Sequence, residues 1–284
     1  MIKPLMRNKK ALTMNNIKHP FQDEQQWQIL QKGIIELAKK EVLARFEKVT
    51  AEEKQDGSLL TEADTEMQIK TQYFLQNNWP QFAFLGEESS QEEQQAAMES
   101  DTGCWILDPV DGTSNFAIGV PFYSVSLGLI IQGKMVAGLV YDPSRDEIFT
   151  ARAGQGASLN NKALIAKTAK QTLKQTSAII DFKRLSAQLA TKIAVDIPYS
   201  SQRSFGSVCL DWCWVAAGRG QIYLHGAQNI WDYAAGWLIL EEAGGYSCTL
   251  DNEPVLTPQV IKRSAVAATT YTLFDEWQTY LKIK

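Results

Sequence analysis

Apolar residues recur at helical spacing from residue 22 to 46, at Trp27, Leu30, Ile34, Ile35, Leu37, Ala38, Val42, Leu43 and Phe46, which predicts a long amphipathic helix. A second helix is expected from Thr61, as N-cap, to about Asn77. Phe82–Leu85 reads as a short strand running into Gly86-Glu87-Glu88, and Ser89–Thr102 as an acidic, Gln-rich, solvated surface segment. From residue 122 the pattern changes to strands at Phe122–Ile131, Met135–Tyr141 and Glu147–Ala151. Turn signals at Gln132-Gly133-Lys134 and Asp142-Pro143-Ser144-Arg145 separate them, which makes an antiparallel meander.

The second half alternates. Strands are expected at Ser177–Asp181, Gln221–Leu224 and Ala265–Ala268. Helices are expected at Ser186–Ile193, Ser207–Ala217, Asp232–Ala243 and from Tyr271 onward, the third closed by Gly244-Gly245. Strands and helices mixed in this way predict an α+β fold, a layered α-β sandwich (αβαβα) with mixed and antiparallel sheets covered by helices. Residues 21–284 are expected to form one domain of two lobes, about 21–155 and 156–284. Residues 1–20 carry five basic and no acidic residues and are expected to be a disordered tail, with Met14 an alternative start.

At 284 residues and 45% hydrophobic content the chain can bury a substantial core. A net charge of −4 argues against a broad nucleic-acid footprint. No apolar run approaches the ~18 residues of a membrane helix. Residues 1–20 contain no apolar core of a secretory signal. Cys104, Cys209, Cys213 and Cys248 include no C-x-x-C pair, and Cys209 and Cys213 read as buried small hydrophobes. The expectation is a soluble cytoplasmic protein.

The chemistry concentrates in Trp105-Ile-Leu-Asp108-Pro-Val110-Asp111-Gly112-Thr113-Ser114-Asn115-Phe116. An apolar approach to Asp108 reads as a buried strand, and the proline after it restricts Asp108 to extended geometry. Two carboxylates then converge where the backbone turns, an arrangement that suits a hard divalent cation. Taken alone, Asp-Pro and Asp-Gly are also ordinary turn dipeptides. Glu87, Asp64 and Asp232 stand at other element boundaries. Each has a plainer reading: a solvated loop, a capping-box member with Thr61, and a helix N-cap.

Gly86-Glu87-Glu88-Ser89, the 105–116 run and Trp231-Asp232-Tyr-Ala-Ala-Gly-Trp-Leu-Ile-Leu-Glu-Glu-Ala-Gly-Gly245, in this order, resemble the inositol monophosphatase family of Mg²⁺-dependent, Li⁺-sensitive phosphatases. Asp56-Gly57-Ser58 and Thr61-x-x-Asp64 add to the resemblance, which covers roughly residues 30–270. It implies that Glu87, Asp108 and the Val110 carbonyl hold one Mg²⁺ and that Asp108, Asp111 and Asp232 hold a second, with two or three ions per active site. It also implies that Thr113 and Asp64 position and activate the attacking water. The Gly112 and Thr113 amides, with Ser114 beside them, would receive the phosphate, and Gly206, Ser207 and Val208 the organic part of the substrate. The physics agrees: two like charges about 4 Å apart repel by about 4 kcal/mol at an effective dielectric of 20, and bound cations remove that cost.

His225 departs from the family, in which a glutamate is common seven residues before the metal-binding aspartate; a histidine there can donate as well as accept. The implied substrate is a small phosphorylated polyol such as inositol 1-phosphate. A sugar bisphosphate, 3′-phosphoadenosine 5′-phosphate and histidinol phosphate are alternatives. Ser114-Asn115-Phe116 leans toward the inositol or sugar side. With only His19 and His225 in the chain, a Ser-His-Asp triad is disfavoured. Gly128-x-x-x-x-Gly133-Lys134 lacks the Ser or Thr of a phosphate-binding loop. A regulatory binding protein on the same fold is the alternative of another class. Homodimers are usual in the family, and no nucleic-acid or membrane partner is expected.

Overall fold

The computed structural model describes residues 17–48, 51–53, 59–166 and 171–282. The Asp56-Gly57-Ser58 turn, and residues 1–16 of the expected tail, lie outside them. From Ile17 the chain is packed: Ile17 and Phe21 are buried, so order begins ahead of residue 21.

Two sheets and three helical layers account for the fold. The first sheet has the order β3 (Ala83–Gly86), β4 (Cys104–Asp111), β5 (Ser124–Ile131), β6 (Lys134–Asp142), β7 (Glu147–Arg152), β8 (Gly156–Leu159) and β9 (Lys162–Leu164). Only β3–β4 is parallel; the remainder is the expected meander, extended by two strands to Leu164. The second sheet has the order β11 (Ser201–Arg203), β10 (Ser177–Asp181), β12 (Ile222–Gln228), β14 (Arg263–Ala268) and β13 (Tyr246–Cys248). In it β10 runs parallel to both β11 and β12. A small hairpin joins β1 (Glu52–Glu53) and β2 (Leu59–Leu60).

Strand alternation sorts the apolar runs into layers. In β4, Trp105 and Leu107 pack outward with Trp27, Leu30 and Ile34 of α1 (Glu24–Leu37) and Met67 and Leu75 of α2 (Glu62–Asn78). Cys104 and Ile106 face inward, to α6 (Val208–Ala216) and α7 (Ile230–Ala243). In the second sheet Ile179 and Tyr223 face that same middle layer, while Ile180 and Leu224 face Ile193 of α5 (Ala187–Val195) and Trp277 of α8 (Tyr271–Leu281). The layers therefore run α, β, α, β, α, as the sequence pattern predicts. Each sheet is covered on both faces, which is why β5 and β6 read as unbroken apolar runs.

The acidic 89–102 segment corrects expectation. It contains α3 (Gln91–Met98), whose N-cap Ser90 accepts from the Glu93 amide while Glu93 answers the Ser90 amide. Gln94 on this helix is buried. No helix among the described residues is long and apolar enough to cross a membrane.

Candidate metal-dependent active site

The site begins with a bulge in β4. Asp108 pairs with Ser126 and Asp111 with Ser124, so two residues of β4, Pro109 and Val110, oppose one of β5. Regular alternation would send Asp108 and Asp111 to opposite faces; the extra residue brings both to the middle layer. Their carboxylate oxygens come within 4.8 Å of each other. Asp108 is 2% exposed, and its Oδ1 is buried with no hydrogen-bond partner among the described residues. Burial first, then the charges of Glu87, Asp111, Asp232 and Asp64, push its carboxyl well above the ordinary carboxylate range.

The other acids arrive on separate elements. Glu87 follows β3, and its amide donates to the Leu107 carbonyl at 3.1 Å. Gln94 Nε2 clasps the same loop through the carbonyls of Gly86, Glu87 and Ser89. Asp232 lies in the first turn of α7, where its Oδ2 accepts the Asn229 amide at 2.8 Å; Asn229, not Asp232, is the N-cap. Burial and the charges of Glu87 and Asp111 raise the Asp232 carboxyl, with Arg184 acting in the opposite direction. Asp111 is raised by burial too, but hydrogen bonds from Ser207, Val208 and Cys209 oppose the shift. Ser207 Oγ, the Val208 amide (3.0 Å), the Cys209 amide (2.8 Å) and Ser124 Oγ (3.4 Å) all reach its two oxygens.

Asp64 caps its own helix. The Thr61 amide and hydroxyl donate to its Oδ2 at 2.7 and 2.6 Å, so the capping box foreseen in the sequence is present. Its Oδ1 faces the Thr113 hydroxyl at 3.2 Å, and that hydroxyl lies 2.8 Å from the Val110 carbonyl. Thr113 opens the short helix α4 (Thr113–Ala117), preceded by Gly112 at φ +91°. A Cβ at Gly112 would also lie 3.0 Å from the Phe122 carbonyl and 3.2 Å from that of Gly206, so glycine suits the place where this turn meets the Gly206 loop. Ser114 is exposed on the same turn.

Three expectations change. Ser207 and Val208 spend their donors on Asp111, so the Val208 amide is not free for a substrate; Gly206 alone of that trio is exposed. His225 is 3% exposed and turned to Asp181, with Nε2 3.1 Å from Asp181 Oδ2, while Nδ1 accepts the Ala227 amide at 3.2 Å. Neither ring nitrogen is left for a substrate hydroxyl. Cys209 is not merely filler: its thiol borders Asp108 and Asp111 and donates to the Asp232 carbonyl at 3.1 Å, while burial keeps it protonated. Two supporting residues carried no signal in the sequence reading, Gln94 and Asn115. Asn115 Nδ2 donates to the carbonyls of Phe122 at 2.8 Å and Phe205 at 2.7 Å, tying α4 to the loop that holds Gly206.

A donor set of carboxylates and a backbone carbonyl, with a buried oxygen unpaired and carboxyl groups raised by one another, fits a hard divalent cation. Comparison with known proteins decides the kinship. The model of the inositol monophosphatase family matches residues 23–281. The chain belongs to the inositol monophosphatase family. This is a family of metal-dependent phosphatases acting on phosphomonoesters. Among relatives, Nus factor SuhB of Xylella fastidiosa is 36% identical over 61% of this chain and 62% of its own length. Inositol monophosphatase 1 of Solanum lycopersicum is 37% identical over 66% and 70%. The match thus spans 62% and 70% of the length of these two relatives. SaIMPase-II of Staphylococcus aureus, solved with inositol monophosphate bound, superposes with a TM-score of 0.75 at 27% identity, covering 90% of this chain and 94% of that one.

Proposed function

We infer that the protein is a Mg²⁺-dependent phosphomonoesterase that hydrolyses a small phosphorylated polyol such as inositol 1-phosphate by direct attack of water. The observation that carries this reading is the unpaired, buried Asp108 oxygen among Asp111, Asp232 and Glu87, beside the Thr113–Asp64 contact. Glu87, Asp108 and the Val110 carbonyl would hold one ion, and Asp108, Asp111 and Asp232 another. Two or three Mg²⁺, when bound, supply charge neutralisation and a more acidic water.

The chain's own residues do the remainder. The Thr113 oxygen accepts a hydrogen bond from the attacking water while its own hydrogen passes to Asp64 Oδ1. Asp64 is held for this by the two Thr61 donors on its other oxygen. The same hydroxyl can turn to the Val110 carbonyl, so engagement of that carbonyl by a cation favours the Asp64-directed rotamer. The amides of Gly112 and Thr113 point the turn at the phosphate, with Ser114 at its edge. The four cysteines are unpaired and buried, as a reducing compartment such as the cytoplasm would leave them. A homodimer is the expected assembly.

Phosphate release from inositol 1-phosphate, with Mg²⁺, with added Li⁺ and with chelator, tests this. Mg²⁺-dependent, Li⁺-sensitive turnover lost in Asp232→Asn and Thr113→Ala is expected, by about 10²-fold or more. Cation-independent release, or wild-type rates in either variant, overturns it. A second reading is favoured by the Nus factor name of the Xylella fastidiosa relative: a regulatory binding role on the same scaffold. Such a role predicts a partner complex that survives Asp232→Asn.

A further inference from the structure

The wall of the site beyond Asp232 is built around a second bulge. In β12, His225 pairs with Ala265 and Gln228 with Arg263, so Gly226 and Ala227 oppose a single residue of β14. Asp181, the last residue of β10, and His225, midway along β12, are parallel partners. They share the strand face of Ile179 and Tyr223, which looks into the middle layer where α7 begins with Asp232. Because His225 Nδ1 accepts the Ala227 amide, the ring hydrogen sits on Nε2 and is donated to Asp181.

Asp181 in turn fixes the residues that follow it. Its Oδ1 accepts the Lys183 amide at 2.8 Å and starts the 3₁₀ turn Phe182–Arg184. That turn lies directly on Gly226: a Cβ there would stand 1.7 Å from the Arg184 carbonyl. Arg184 is therefore held just past the carboxyl end of β10, where its parallel pairing with β12 stops, the edge at which open α/β sheets receive ligands. Its side chain is exposed and makes no ion pair among the described residues. Its charge acts on Asp181 and Asp232, so the guanidinium lies within Coulombic range of both. An exposed guanidinium with no ion pair among the described residues is thus available at this edge of the sheet.

We propose that Arg184 is a specificity residue that receives a second anionic group, phosphate or carboxylate, on the organic part of a phosphomonoester, with the buried His225–Asp181 pair as its positioning element. The proposal rests on the phosphatase reading and deepens it. A guanidinium suits such a group because its planar fork matches two oxygens at once. It also gives His225 a purpose that direct contact with substrate does not: the ring holds the turn that carries the cation.

Matched substrate pairs test it. Fructose 1,6-bisphosphate against fructose 1-phosphate reads a second phosphate, and 2-phosphoglycerate against glycerol 2-phosphate reads a carboxylate. The doubly anionic member of at least one pair is expected to have the higher kcat/KM in the wild type. Arg184→Gln should lower that ratio at least tenfold, chiefly through KM, and Arg184→Lys should recover part of it. His225→Ala should move the ratio the same way, and His225→Gln, whose amide can still donate to Asp181, should restore it. A ratio unchanged in Arg184→Gln, or an equal fall in kcat for every substrate, overturns the proposal. Turnover of glycerol 2-phosphate by the wild type reports on the phosphatase reading alone. Should it fail, thermal protection by fructose 1,6-bisphosphate over fructose 1-phosphate, lost in Arg184→Gln, still reads the contact; equal protection by both sugars sinks it.

Discussion

Asp111 Oδ2 accepts the backbone hydrogen of Cys209 at 2.8 Å, so a carboxylate at the end of a strand caps a helix that packs between both sheets. The Val208 amide and the Ser207 hydroxyl complete the cap. An anion at a helix N-terminus is favourable by ~0.3–1 kcal/mol, and a lost cap costs about 1 kcal/mol. Asp111 thus both belongs to the acidic cluster and ties β4 to α6. Asp111→Asn is expected to lower the stability of the Mg²⁺-saturated protein by about 1–2 kcal/mol and to cut phosphate release by about 10²-fold or more. Urea unfolding and initial rates on one preparation check both. A variant that loses activity with unchanged stability would separate the two roles.

Asp108 makes the opposite case, because nothing among the described residues pairs its Oδ1. Its carboxyl is raised by burial and by its acidic neighbours, so the folded chain binds that proton more tightly than the unfolded chain does. Stability from such a group is present below the unfolded pKa of about 3.9 and drains away as pH rises through the folded value. Chelated wild-type protein should therefore lose stability between pH 5 and 8, and saturating Mg²⁺ should remove most of that loss. Asp108→Asn should melt higher than the wild type in chelator at pH 8 while being inactive. Melting curves at pH 5, 6.5 and 8, with Mg²⁺ and with chelator, decide it; a chelated Asn variant that melts lower at pH 8 is the contrary result.

Asn115 joins α4 to the Gly206 loop through two carbonyls, those of Phe122 and Phe205. Removing the amide leaves both acceptors short of a partner, at about 1–3 kcal/mol. Asn115→Ala is expected to destabilise by that amount and, on the proposed reading of Gly206 as a substrate contact, to raise KM more than it lowers kcat, because the acidic cluster is untouched. Steady-state kinetics beside urea unfolding tests the split. An effect on kcat alone would place Asn115 with the reacting groups instead.

The five layers were legible because their cause is local: alternation in β4 and β5, helical spacing in α1 and glycine at the end of α7. The site was legible where a short motif carried it. Asp64 in its capping box and Asp232 in a first turn are set by neighbours three residues away. What the sequence withheld depends on contacts between distant segments. The bulges at Pro109-Val110 and Gly226-Ala227 decide which face Asp111 and the Arg184 turn occupy, and a bulge has no one-residue signature. Gln94 was lost in a segment that looked merely polar, although Ser90 and Glu93 already spell a capping box. His225 was read by its place before Asp232, whereas its partner, Asp181, lies 44 positions upstream on the neighbouring strand.

That partnership yields the last prediction. Restoring the acid common at this position, by His225→Glu, would set a buried carboxylate against Asp181, whose oxygen now lies 3.1 Å from the ring nitrogen. Breaking a fully buried pair costs about 3–5 kcal/mol, and the partial exposure of Asp181 reduces this to about 2–3 kcal/mol. The introduced carboxyl and Asp181 would each favour protonation, so the penalty should be small at pH 5 and grow toward pH 8. His225→Gln keeps a donor for Asp181 and should cost under about 1 kcal/mol. Urea unfolding of the three proteins at both pH values measures this. A glutamate variant as stable as the wild type at pH 8 would mean that the side chain at this position turns away from Asp181, toward the substrate.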